Sequence, residues 1–166
     1  MAHNAYLTIN GEKQGLISNG CNTPDSLGGK YQKPHINEIT VIATEHTMMK
    51  IQGQHSKSHN PITITKFIDK STPLLATAFA RQEHLECTLN FYRTNGNGYN
   101  EKFYTVELKK ALITAINFSQ PHTLLSHDEE MTEQISISYR DIIWKHNIAG
   151  TEGYDNWENG GRHEES

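Results

Sequence analysis

The chain has 166 residues, with 15 Lys plus Arg against 19 Asp plus Glu, for a formal charge of −4 with histidine neutral. That length suits one ordinary domain with a real core, and the acidic balance argues against a nucleic-acid binder, which needs a net basic face. No apolar run nears the ~20 residues that span a bilayer, the first residues lack the basic flank and apolar centre of a secretory signal, and two cysteines are too few for a disulfide scaffold.

Sixteen Ile and sixteen Thr, with 12 Tyr plus Phe, favour pleated strands over helices, so an all-β or β-dominated domain is expected. A first strand is read over 6–9, a tight turn at Asn10-Gly11 and a hairpin partner over 13–17. Residues 18–34 are rich in Gly, Asn, Asp, Ser and Pro and read as a long loop. A strand follows over 36–46, then a stretch without period over 47–60, long enough for a functional loop. Pro61 opens a strand over 62–68. Ser71 or Thr72 can cap a helix with Pro73 at its first position, and the stripe Leu74, Leu75, Ala78 and Phe79 predicts one short helix over about 73–82.

Leu85, Cys87, Leu89 and Phe91 alternate strictly with polar residues, which marks a half-buried strand and places Cys87 inside. Asn95-Gly96-Asn97-Gly98 signals a reversal, and the partner strand carries Tyr104, Val106 and Leu108 on one face. It continues over 111–118 after a bend near Lys109-Lys110, and 120–128 reads as a polar loop. The last long strand is read over 133–146. Its parity switches between Tyr139 and Ile142, which a bulge near Arg140-Asp141 or burial of both faces would explain. The tail over 147–166 is expected to be docked or flexible, with Tyr154 and Trp157 as its large apolar anchors.

Catalytic and metal patterns are weak. His55 and His59 are four apart, but the stretch does not read as helix, so the spacing carries no ligand set. There is no Gly-x-Ser-x-Gly elbow, and Gly28-Gly29-Lys30 lacks the rest of a phosphate-binding loop. The residues alone predict no enzyme, no cofactor and no metal.

One segment carries a specific likeness. His59-Asn60-Pro61-Ile62-Thr63-Ile64-Thr65-Lys66-Phe67-Ile68-Asp69-Lys70-Ser71-Thr72-Pro73-Leu74-Leu75 resembles the signature of the Hcp family, the haemolysin-coregulated proteins of bacterial type VI secretion. Short pieces elsewhere, in order and at matching spacing, resemble its enterobacterial branch. They are Tyr6-Leu7-Thr8, Gln14-Gly15-Leu16-Ile17-Ser18, Lys30-Tyr31-Gln32, Tyr92-Arg93-Thr94-Asn95, Asn100-Glu101-Lys102-Phe103-Tyr104-Thr105-Val106, Ile142-Ile143-Trp144-Lys145-His146 and Ala149-Gly150-Thr151.

The resemblance implies a mainly β domain over 1–146, two antiparallel sheets forming a barrel or sandwich with one short flanking helix, and a tail over 147–166. It implies a homo-hexameric ring whose copies stack into a tube, a contractile sheath that expels it, a VgrG-type spike at its tip and small effectors in its lumen. It implies a bacterial cytoplasmic subunit that leaves through the type VI apparatus, with no nucleic acid and no membrane insertion. A tail of 20 residues is too short for the toxin domain that some members carry, so a structural tube subunit is expected.

The 47–60 loop is the expected contact within or between rings, through Met48, Met49, Lys50, Ile51, His55, Lys57 and His59. Expected ring-face contacts are Asn22, Asp25, Asn95, Gly96, Asn97, Tyr154 and Trp157. Ten histidines are expected to make stacking sensitive near pH 6. The rival readings are a secreted β-sandwich that binds a carbohydrate or small ligand and an enzyme that uses the clustered histidines.

Overall fold

The computed structural model describes residues 3–53 and 56–156. Strand β1 (Asn4–Gly11) is followed by β2 (Gly15–Leu16), shorter than the partner read over 13–17. The amides of Lys13 and Gln14 are taken by the Glu83 carboxylate at 2.9 and 2.8 Å and so leave the ladder. Within the loop read over 18–34, Pro24 starts one turn of helix, α1 (Pro24–Leu27), so the described residues carry two short α-helices.

Strand β3 (Ile39–Glu45) leads into the stretch read as having no period. It forms a hairpin of β4 (Met48–Lys50) and β5 (Lys57–His59), paired Met48 to His59 and Lys50 to Lys57. Strands of three residues are too short to display an alternation. Then come β6 (Ile62–Phe67) and α2 (Thr72–Arg81), one residue ahead of the range expected. Ser71 precedes α2, but its hydroxyl donates to Asp69 Oδ1 at 2.5 Å and makes no capping bond. Leu75 and Ala78 of α2 are buried, whereas Phe79 at the edge of the stripe is 41% exposed.

The remaining strands are β7 (Leu85–Thr94), β8 (Asn100–Ser119), β9 (Thr132–Ser138), β10 (Asp141–His146) and β11 (Thr151–Asn156). The large sheet runs β11-β10-β8-β7-β1-β3-β6-β9, and β9 returns to pair with β8. Every pairing is antiparallel, and the β8–β9 pairing closes the sheet into a barrel. The length of β8 permits closure. Its first half pairs with β7 and β10, and its second half with β9.

The two halves of β8 meet at Lys110, whose φ is +49°. Leu108 and Ala111 both face inward, so this bulge resets the alternation at the bend expected there. At the same level the strand read over 133–146 divides into β9 and β10, and Arg140 N–H donates to Lys109 O at 3.2 Å. The interior is filled by aliphatic side chains, among them Leu7, Ile9, Ile39, Ile64, Leu89, Leu108 and Ile135.

Candidate functional site

The hairpin of β4 and β5 joins β3 to β6, and the strand register puts it at the barrel end that also carries the Thr94–Asn100 turn. α1 lies at the opposite end, where Ser26 Oγ accepts the Lys70 N–H at 2.8 Å. The hairpin holds apolar side chains out to solvent: Met48 is 48%, Met49 56% and Ile51 64% exposed. Lys50 is exposed as well, and His55 lies outside the described residues.

His59 corrects an expectation. It is buried, so it offers no contact surface in the single chain. Its Nε2 lies 2.8 Å from Asp155 Oδ2 and its Nδ1 2.6 Å from the Tyr139 hydroxyl. Lys57 donates to the other oxygen of Asp155, and His46 Nε2 meets Tyr139 from its far side at 2.8 Å. These bonds pin the hairpin to β11 and to the barrel wall. Burial raises the Tyr139 hydroxyl above the usual tyrosine range, and the Asp155 charge adds to it. Burial alone would raise Asp155 too. Hydrogen bonds from Lys57, the Asn156 N–H and His59 outweigh it and hold the carboxyl below its ordinary value.

The expected ring-face residues separate. Asn22 is fully buried, which corrects that assignment. Its amide donates to Glu38 O at 2.6 Å and accepts from Gln32 N–H at 2.9 Å and from the Thr40 hydroxyl at 3.2 Å. It ties the 18–38 region to β3. Asp25 is exposed on α1 and lines a shallow groove with Ser26, Ile68 and Lys70. Gly96 and Asn97 are exposed at the opposite end, in a turn built by Asn95 Oδ1, which accepts the N–H groups of Asn97 and Tyr99 at 2.9 and 3.1 Å. Tyr154 is 61% exposed on β11, and Trp157 lies outside the described residues.

Two features were missed from sequence. Leu124 and Leu125, in the loop read as polar, are 82% and 80% exposed. His122 Nδ1 accepts the backbone N–H of both, which holds the turn that presents them. The second lies inside the likeness-bearing segment. Lys66, fully buried, places Nζ 2.5 Å from Glu133 Oε2 and 3.0 Å from Asp69 Oδ1. Thr72 adds its hydroxyl to the same cluster. The alternation Ile62, Ile64, Lys66 points inward and could have flagged a buried lysine.

A family model described as "Type VI secretion system effector, Hcp" matches residues 6–146. The chain belongs to the Hcp family. Among its Hcp relatives and neighbours, the "Major exported protein" of Pseudomonas aeruginosa is 35% identical over 95% of this chain and 96% of its own length. The "Uncharacterized protein YhhZ" of Escherichia coli is 39% identical over 92% of this chain, a match that spans 37% of that longer protein. A crystal structure of an Hcp protein superposes with a TM-score of 0.90 at 34% identity, covering 96% of this chain and all 100% of that one. The secreted protein Hcp3 from Pseudomonas aeruginosa gives 0.85 at 35% identity, over 95% of this chain and 100% of its own. The 59–75 segment that carries the likeness holds Lys66, Asp69 and Thr72 of the buried cluster. Its Lys, Asp and Thr are the polar groups that join β6, α2 and β9 inside the barrel.

Proposed function

We propose that the chain is a structural subunit of the type VI secretion tube. Six copies close side by side into a ring, rings stack head to tail, and the tube leaves the bacterial cytoplasm through the apparatus itself. Its partners in this role are the contractile sheath, a VgrG-type spike and small effectors held in the lumen. It performs no catalysis.

The observation that carries the reading is the hairpin of β4 and β5. A rigidly tethered hairpin exposes Met48, Met49 and Ile51 beside Lys50. Apolar surface on an anchored projection suits a heterologous contact with the next copy, the kind that closes by rotation. In this reading Asp25 at one barrel end meets Asn95, Gly96 and Asn97 of the next ring, with Tyr154 on the β11 edge as a further contact.

The test is the mass of the purified chain by light scattering, with negative-stain microscopy of the same sample. The expected result is annular particles near six times 18.8 kDa. A strict monomer at millimolar concentration that also fails to join rings of an established Hcp protein would overturn it.

A further inference from the structure

The side chains that tether the hairpin form one continuous row. It runs from Lys57 to Asp155, His59, Tyr139 and His46. Four segments of the chain supply it: β5 gives Lys57 and His59, β11 gives Asp155, the β9–β10 junction gives Tyr139, and the end of β3 gives His46. The Tyr139 hydroxyl is the centre, with an imidazole nitrogen on either side.

The geometry fixes where each proton sits. A carboxylate only accepts, so His59 Nε2 carries a hydrogen toward Asp155. With His59 neutral, its Nδ1 is bare and accepts from the Tyr139 hydroxyl. That hydroxyl has one hydrogen, so it must receive the other bond from His46 Nε2–H. With His59 charged, the direction reverses. His59 Nδ1–H donates to Tyr139, the hydroxyl turns to donate to His46 Nε2, and the His46 hydrogen sits on its Nδ1. The row therefore binds one proton and keeps every bond.

A second proton breaks this symmetry. Both imidazoles then donate to the Tyr139 oxygen, and its own hydrogen loses its acceptor in the row. Two cationic rings then lie with centroids 6.3 Å apart, around a residue that is 4% exposed. Among the described residues, the charged groups bonded into the row are Lys57 and Asp155, whose charges oppose each other. Asp141 nearby, at the start of β10, is engaged by the Tyr154 hydroxyl and the Asn156 amide at 2.8 and 2.7 Å.

We propose that this row is an acid-released latch, which holds the hairpin and β11 on the barrel with no more than one bound proton and releases them when both histidines are charged. Burial, followed by the charge of His59, holds His46 below the ordinary histidine value, so His46 resists taking up a proton while the latch is closed. The sign follows. A histidine kept neutral by folding contributes its full stability above about pH 6.5, and that contribution is lost as pH falls below it. The latch stands on the single chain. Its consequence, rings that loosen in acid, rests on the proposed role of the hairpin.

The test is amide hydrogen exchange of the full chain, corrected for the intrinsic rate, between about pH 7.5 and 5. Segments 48–50, 57–59 and 151–156 should lose protection by about tenfold per pH unit at the low end, the slope of one proton taken up on release. β7 should stay protected. His46→Gln keeps a donor toward Tyr139 and cannot be charged, so its hairpin should stay protected throughout. Proton NMR of the wild-type histidines gives an independent check, with hairpin shifts following the lower of the two titrations. A pH-independent hairpin, a His46→Gln chain that opens in step with the wild type, or hairpin shifts that follow the first titration would overturn the latch. Ring mass over the same pH range separates the two ideas: opening without a change in mass upholds the latch and removes the hairpin from the ring contact.

Discussion

Lys66 and Glu133 face each other across the β6–β9 ladder, with Nζ 2.5 Å from Oε2 inside the barrel. Both are buried among Ile62, Ile64, Ile135 and Ile137, and Asp69 and Thr72 bring the start of α2 to the same point. The pair joins β9 to β6 and to the start of α2, which lie 67 and 61 residues earlier in the chain. Removing the lysine leaves two carboxylates in an apolar setting, so Lys66→Met should cost about 3–5 kcal/mol. Adding Glu133→Leu to it should recover part of that loss. Urea unfolding of the single and double variants measures both.

The hairpin separates assembly from folding. Met49 and Ile51 are more than half exposed. Met49→Asp with Ile51→Asp should change folding stability by about 0.5 kcal/mol or less, as for ordinary surface positions. The same pair should lower the mass of the ring in light scattering. Intact rings from this variant would count against the proposed contact.

Glu83 organises the turn after β1. Its carboxylate accepts the N–H groups of Lys13 and Gln14 and the Gln14 amide, the last at 3.0 Å. Burial would raise its pKa, but these bonds, aided by the charge of Lys13, hold it below the ordinary value. Its contribution is therefore full above about pH 4.3 and is lost as pH falls below that. Glu83→Gln should flatten the acid limb of the stability–pH curve. Gly11→Ala attacks the same contact, because a Cβ there would lie 2.1 Å from Glu83 Oε2. It should destabilise the fold by about 1–3 kcal/mol in thermal or urea unfolding.

Both cysteines are free and buried. Burial first, then the nearby charge of Asp69, pushes the Cys21 thiol up to about 11. Burial and then Glu86 push Cys87 to about 12. Thiolate is the reactive form, so neither should take up iodoacetamide near pH 8 while the chain is folded. Mass spectrometry after labelling in urea should show both modified.

What the residues determine alone is local and periodic. Leu85, Cys87 and Leu89 alternate, and β7 forms with those side chains inside. Pro73 and the apolar stripe behind it mark α2 to within one residue. The break at Lys109-Lys110 shows as a change of parity, since the side-chain period of a strand is two. The ordered likeness from Tyr6 to Thr151 carried the family, because many short pieces in one order and at matching spacing are together far more specific than any one of them.

Tertiary structure decided the polar interior and the contact surfaces. Asn22 sits in a stretch whose composition reads as exposed loop, yet three partners from 32–40 bury it. His59 meets Tyr139 and Asp155 at separations of 80 and 96 residues, and Glu133 meets Lys66 at 67. A hydrogen bond depends on distance and direction in space. Neither is written in sequence separation, so such groups become partners only when barrel closure brings their strands together.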